Sequence, residues 1–462
     1  MKRPIVLLLL CLLSAGPVSA QAATADSLEI ERVVGLLGAR LDTLLTRYQE
    51  YGFWGSVLVA QRGKVVLLKG YGLADLERKV SNSAATRFEM NSITKTFTAA
   101  AILKLAAEGR LAVTDPVERH LGSFRADKRS ATIEDLATHT AGLVVGGATL
   151  ATESLVAFVE SVKRTPRESP PGQEYRYTNA GFSLLAAVIE KVTDDSYENY
   201  LRRNLFPAAV MRSAGFRDEV PVGDARFARG YVGTPAGLAP GPAKPHGWST
   251  RGAGGIWSTV GDMYRWVIAL DQGRVVPNSQ RELLFAPRPS PREGYGWHVE
   301  TVNGRVMRHK GGGSDDFASQ ILHYPADEVV IVWVSNNLRQ RWRRTLNRNL
   351  AALVLGDSVD SLPAVGRLPE ASLRSLAGRF RSANGGFTLH AGDGFLYSDE
   401  NALEIPTGVM FFPTGTGRFT GFDPSSGSVS ALRFEESAGT AVEITLADGK
   451  LLRASRLALD RR

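Results

Sequence analysis

The chain has 462 residues, 44% hydrophobic and 22% charged, which at roughly 150 residues per domain fits two or three globular domains. A disordered chain and a polytopic membrane protein are both excluded by that balance. The formal net charge is +8, from 55 basic and 47 acidic residues. The basic residues are spread along the chain with no recognition motif, so no nucleic-acid partner is expected.

Residues 1–20 open with Lys2 and Arg3, continue through an apolar run from Ile5 to Leu13, and close on the small-residue stretch Pro17 to Ala20. That pattern predicts a secretory signal peptide and an exported protein, periplasmic or secreted. The run is well short of the ~20 residues a spanning helix needs, so no stable membrane span is expected. The single cysteine, Cys11, falls inside this segment. Leu10 precedes it, where a lipid-anchor site wants a small residue. Once the segment is removed, no thiol remains for disulfides, thiolate catalysis or cysteine-bound zinc.

Residues 28–50 place Ile30, Val33, Val34, Leu37, Leu41, Leu44, Leu45 and Tyr48 at helical spacing, which predicts an amphipathic helix. Residues 54–61 and 64–71 read as strands joined by a tight turn at Arg62-Gly63. A helix at about 92–108 is apolar nearly all round, hence buried, and Gly109 suits its end. The clearest later helices are 180–193, 196–205 and 259–271. Strands follow at 295–302 and 305–310 around Asn303-Gly304, a strong hairpin signal. Two more are expected at 317–323 and 328–335, then a helix at 342–355. Strands from both ends of this region, with helices between, predict an α+β domain over 21–360. Its antiparallel sheet is flanked by helices and carries a helical insert. Residues 356–370 read as a linker, so this domain is expected to fold alone. From 361 to 462, strand-length runs alternate with turn clusters at 384–386, 392–394, 424–427 and 448–449, which suits a small all-β domain.

Chemistry is carried by Asn91-Ser92-Ile93-Thr94-Lys95 at the start of the buried helix. Ser92 and Lys95, three apart, share one face of the first turn. A serine hydroxyl needs a base to become a nucleophile, and a lysine serves only when burial and nearby cations lower its pKa. Alone, the tetrad also fits a serine helix cap beside a solvated lysine. Two further elements follow in order: Tyr177-Thr178-Asn179, then His309-Lys310-Gly311-Gly312 on a strand.

In that order the three elements resemble the serine β-lactamase and penicillin-binding superfamily, specifically its class C-like branch. The branch includes class C β-lactamases, D-alanyl-D-alanine carboxypeptidases, D-aminopeptidases and lactamase-fold esterases. Thr138-His139-Thr140-Ala141-Gly142-Leu143 is similar to a family signature, as is Gly254-Gly255-Ile256-Trp257-Ser258-Thr259 with Asp262 and Met263. The resemblance spans about 30–355 and implies a β-lactamase-like fold and an acyl-enzyme hydrolase acting on esters, amides, D-amino-acid peptides or β-lactams. It implies Ser92 as nucleophile, Lys95 and Tyr177 as its base, and Asn179 as a substrate-binding amide. It also places His309 first in a K-T-G-like motif with Gly311 and Gly312 beside substrate. The backbone N–H groups of Ser92 and Gly312 would form the oxyanion hole. The C-terminal domain is similar to the lipocalin-like appendages of several members.

Other readings stand beside these. Tyr177 alone suits a half-buried aromatic, and His139 a packed structural imidazole. His309, His323, Asp315 and Asp316 would suit a metal site, but the zinc-protease pattern is absent, so no metal or organic cofactor is expected. Gly311-Gly312-Gly313 lacks the Lys-Ser/Thr of a phosphate loop. Arg339, Arg341, Arg343, Arg344 and Arg348 read as a solvated helix face, with Arg339 placed to reach a substrate carboxylate. A catalytically inactive penicillin- or peptidoglycan-binding module is the alternative function. The expected partner is a small-molecule or peptide substrate. A mostly neutral His309 in place of the family's lysine predicts a preference for uncharged esters over β-lactams, the alternative being that Lys310 carries the missing charge despite strand alternation.

Overall fold

A computed structural model describes residues 28–144, 154–221, 223–234, 237–241, 247–286, 293–337, 342–360, 362–383, 385–392, 394–398, 409–422, 429–435, 440–446 and 448–457. The expected signal peptide, Arg339 and Arg341, and turn residues 384, 393 and 424–427 lie outside these.

Seven strands form the main sheet, in the order Arg32–Val33, Lys64–Tyr71, Gly55–Gln61, Val329–Ser335, Ala318–Tyr324, Arg305–Gly313 and His298–Val302. Every neighbouring pair is antiparallel. Strands from the two ends of the domain meet where Val332 pairs with Leu58. Arg62 and Gly63 have φ of 50° and 70°, and Asn303 and Gly304 have φ of 50° and 76°. Both hairpins therefore use the left-handed turn geometry that matches strand twist.

Strand Val329–Ser335 is apolar without alternation because both its faces are covered. Val330 and Val332 join Leu58, Phe97 and Trp266 in the front core, beneath helices Thr94–Ala107 and Val260–Asp271. Ile331 and Trp333 join Leu41, Leu45, Tyr48, Leu346 and Leu350 in the back core, beneath helices Gly35–Glu50 and Trp342–Leu355.

The first helix starts at Gly35 rather than at 28. Arg32 and Val33 instead pair with Leu68 and Leu67 as the sheet's edge strand. Ile30, Val33 and Val34 are exposed, so their helical spacing does not mark a buried stripe.

Eight strands, from Gly378–Ser382 to Leu451–Arg456, close into a C-terminal barrel. Its interior is filled by Phe380, Phe387, Phe411, Phe419, Phe434 and aliphatic neighbours. The segment expected to be a free linker is packed. Val359, Leu362 and Val365 lie against the back core, and Arg47 and Tyr51 both donate to the carbonyl of Pro363. Helix Glu370–Leu376 was not anticipated. Phe395, Tyr397, Met410, Phe412 and Phe422 of the barrel belong to the back core itself. Tyr51 meets Phe412 and Phe422 with ring centroids 4.9 and 5.0 Å apart. The expectation that residues 21–360 fold alone therefore loses its physical basis: truncation would bare aromatic surface.

Candidate active site

Asn91 takes a left-handed φ of 49° immediately before Ser92. A short 3-10 turn, Asn91–Ile93, then feeds the helix Thr94–Ala107. Lys95 lies one turn beyond Ser92 and is 0% exposed. Its Nζ donates to Ser92 Oγ at 3.1 Å, Asn179 Oδ1 at 2.8 Å and the carbonyl of Ala253 at 3.1 Å. Those three acceptors match the three protons of an ammonium.

Tyr177 arrives from another element. Thr178 caps the helix Asn179–Thr193 by accepting from the N–H of Ala180 at 3.2 Å. Tyr177 is thereby left at the helix mouth, where its hydroxyl donates to Ser92 Oγ at 2.9 Å. The Lys95 ammonium sits 4.8 Å from the centre of its ring. His139, buried and at φ 61°, accepts from the N–H of Thr178 at 3.2 Å and packs its ring 4.4 Å from that of Tyr177. Burial, with Lys310 and Lys95 nearby, pulls its pKa well below the ordinary range, so the imidazole is neutral and braces Tyr177.

Burial pulls the Lys95 ammonium down to about 8, with Lys310 adding to the fall and Tyr177 opposing it. Burial pushes the Tyr177 phenol up, but Lys95 and Lys310 outweigh it and bring it down to about 8. The two groups share one cluster and titrate as a pair.

Lys310, not His309, faces this cluster. Strand alternation sends the two to opposite faces: Lys310 pairs with Ile321 of the front core and His309 with Leu322 of the back core. The Lys310 ammonium is 1% exposed and lies 5.5 Å from the ring centre of Tyr177. His309 stacks on His298 at 5.1 Å, with Nε2 3.2 Å from Glu300. Burial, with His298, Lys310 and Arg343 nearby, lowers its pKa to about 3. Of the stretch His309-Lys310-Gly311-Gly312 it is therefore Lys310, one residue later than the position read from the sequence, that lies beside Tyr177. No cation is missing, and the expected preference for uncharged esters loses its premise.

Two close approaches hold the strand end here. A Cβ on Gly312 would lie 2.2 Å from the carbonyl of Met90 and 2.9 Å from Asn91 Cβ, so only glycine lets the strand meet the turn that carries Ser92. A Cβ on Gly311 would fall 1.3 Å from a guanidinium nitrogen of Arg343. Arg343 reaches across from the helix Trp342–Leu355 and donates to Gln320 Oε1 and the carbonyl of Ser319. The arginine at this edge is thus Arg343, from a stretch read as a solvated face.

Glu293 also escaped the sequence reading. It is 1% exposed, with a carboxylate oxygen 3.6 Å from Lys310 Nζ. Gly296, at φ 72° and pressed against the carbonyl of Lys95, holds its loop in place. A lone acidic residue in the stretch Glu293-Gly294-Tyr295-Gly296-Trp297 carries no signal until the turn is folded. Of the metal reading, His323 pairs with Asp271 at 3.1 Å and Asp316 accepts from Ser314. Among the described residues, no group of three or more His, Cys, Asp or Glu is placed to hold a metal ion.

Known proteins share this architecture. The family model described as Beta-lactamase matches residues 41–356. PbpX of Bacillus subtilis (strain 168), named as a candidate penicillin-binding protein, is 29% identical over 261 residues, 54% of this chain and 63% of its own length. Protein flp of Staphylococcus aureus (strain MW2) is 30% identical over 318 residues, 64% of this chain and 62% of its own. The chain thus spans under two thirds of each relative. An octameric penicillin-binding protein homologue from Pyrococcus abyssi superposes with a TM-score of 0.64 at 21% identity, covering 90% of this chain and 99% of that one. A class C β-lactamase from Rhodobacter sphaeroides gives 0.58 at 21% identity, covering 69% and 99%. Shared fold and a family match over most of its length make this chain a member of the Beta-lactamase family, within the serine β-lactamase and penicillin-binding superfamily.

Proposed function

We propose that the protein is an exported serine hydrolase that works through an acyl-enzyme at Ser92. The family consists mostly of serine hydrolases. The observation that carries the reading is the meeting of Lys95 Nζ and Tyr177 OH on one serine oxygen, at 3.1 and 2.9 Å. Ser92 Oγ attacks the carbonyl carbon of an ester or amide. Its proton passes to the Lys95–Tyr177 pair, which returns it to the departing alcohol or amine. Water, deprotonated by the same pair, then attacks the acyl carbon and releases the acid and Ser92. The N–H groups of Ser92 and Gly312 hold the developing oxyanion, a contribution of about 3 kcal/mol per donor. Asn179 holds Lys95 and meets the substrate. With the Lys310 cation beside Tyr177, substrates carrying a carboxylate near the scissile bond, as penicillins and D-amino-acid peptides do, suit the cleft.

Fluorophosphonate treatment followed by peptide mass spectrometry should place the adduct on Ser92. An adduct elsewhere sinks the assignment. No reaction with either fluorophosphonate or a penicillin probe would leave an inactive binding module. Nitrocefin, p-nitrophenyl butyrate and D-Ala-p-nitroanilide compared side by side then sort the substrate class. Catalysis needs the pair in its basic form, so kcat/KM should rise with pH through an apparent value near about 8.

A further inference from the structure

Glu293 is a buried carboxylate in a site otherwise dominated by cations. One oxygen, Oε2, meets His298 Nδ1 at 2.5 Å and accepts weakly from the Tyr175 hydroxyl at 3.4 Å. The other, Oε1, has no hydrogen-bond partner among the described residues, and neither has Lys310 Nζ. The two face each other at 3.6 Å, both buried. A buried ammonium without a counter-charge is costly, so this pairing offsets the cost of burying Lys310. Its Nζ lies 5.5 Å from the ring centre of Tyr177, and that of Lys95 lies 4.8 Å from the same centre. The titratable neighbours of Glu293 are Lys310 and His298 from the sheet and Tyr175 from the loop before helix Asn179–Thr193. One step further in lie Lys95, Tyr177 and His139, and the charge of Arg343, on helix Trp342–Leu355, is felt at Tyr177.

We propose that Glu293 sets the charge balance at the base: paired with Lys310 beside Tyr177, it offsets that cation, and so decides how readily the Lys95–Tyr177 pair becomes a base. The inference rests on the reading of Ser92 as the nucleophile. Its sign follows from electrostatics. A nearby negative charge stabilises protonated Lys95 and disfavours the Tyr177 phenolate, so it holds both groups in their acid forms to higher pH. A nearby cation does the reverse. Removing Glu293 should let the base appear at lower pH, and removing Lys310 should delay it.

The test uses the full chain as wild type, Glu293→Gln, Lys310→Met and the double variant. Two readouts are taken against pH: kcat/KM for p-nitrophenyl butyrate, and the rate of fluorophosphonate labelling at Ser92. Glu293→Gln should move the acid limb of both profiles down by about half a unit or more, and Lys310→Met should move it up by a similar amount. The double variant should fall between them, and its departure from the sum of the two single shifts measures how strongly the neighbours are coupled. A packing role would lower activity at every pH and leave the limb in place. Limbs that do not move, or that move the same way in both single variants, overturn the proposal. If Glu293→Gln does not fold, Lys310→Met decides alone, since its limb must rise. Labelling at Ser92 with unmoved limbs rejects Glu293 only. Failure of the wild type to label at Ser92 rejects the serine-hydrolase reading and this inference with it.

Discussion

The two faces of the main sheet are built from the same strands and serve different ends. The front face gathers buried polar groups around Ser92: Lys95, His139, Glu293 and Lys310 are each at most 1% exposed. The back face is nearly all carbon, with Phe53, Trp333, Phe412 and Phe422 packed between two helices and the barrel. Burying charges costs several kcal/mol each unless they are paired, whereas burying apolar surface stabilises by about 25 cal/mol per Å². The back face therefore supplies stability that the front face spends on chemistry. Changes in front should cost activity and spare the fold, and changes behind should do the opposite.

The sharpest form of that contrast is Lys95→Met. Methionine has a similar length and no charge to desolvate, so the melting temperature should hold or rise. Turnover should fall about 10³-fold through loss of the proton acceptor. Steady-state kinetics and a thermal melt on one preparation check both halves. Activity kept within tenfold would remove Lys95 from the mechanism. Behind the sheet, Phe412→Ala should cost about 3–5 kcal/mol in a denaturant titration, as for other large buried aromatics. Its kcat in dilute buffer should be unchanged while the chain stays folded. Activity lost without a loss of stability would mean that the barrel touches the site.

Gly312→Ala is a smaller change, aimed at the seam between strand and nucleophile turn. The new methyl would meet the carbonyl of Met90 at 2.2 Å and Ser319 Oγ at 2.5 Å. The strand must move by a fraction of an ångström, which is enough to spoil an oxyanion contact and lower kcat about 10²-fold. Circular dichroism should match the wild type. Unaltered kcat would show that no catalytic donor sits at this strand end.

The elements were legible where local patterns decide them. Helix 342–355 and the Asn303-Gly304 hairpin follow directly from periodicity and turn chemistry. The Ser92, Lys95, Tyr177 and Asn179 cluster was readable because the motifs come in order, although 84 residues separate Lys95 from Asn179. What failed depended on faces and on distant contacts. The run Val409-Met410-Phe411-Phe412 does not alternate because Val409 and Phe411 fill the barrel while Met410 and Phe412 join the back core. An unbroken apolar run of that length marks a strand covered on both sides, and it was the available sign that the barrel does not stand alone. Glu293 had no such sign, since its meaning comes from Lys310, which only the folded turn and strand bring to 3.6 Å.

The smallest predicted effect bears on register. His309 and Lys310 are adjacent, so a one-residue slip of strand Arg305–Gly313 would exchange their faces. The pairing of His309 with Leu322 and Lys310 with Ile321 puts the histidine behind the sheet. There it touches His298 and Glu300 and is partly open to solvent. His309→Ala removes a ring that meets neither Ser92 nor its base, so kcat/KM should change less than about 3-fold. A trace of coupling remains, because His298 stacks on His309 and also holds Glu293. The acid limb should therefore shift by less than in Glu293→Gln. Stability should fall by about 1 kcal/mol, the usual cost of a single substitution. Lys310→Met on the same assay provides the contrast. If His309→Ala instead loses as much activity as Lys310→Met, the histidine faces the cleft in the working enzyme, and strand Arg305–Gly313 pairs one residue out of the His309–Leu322 register.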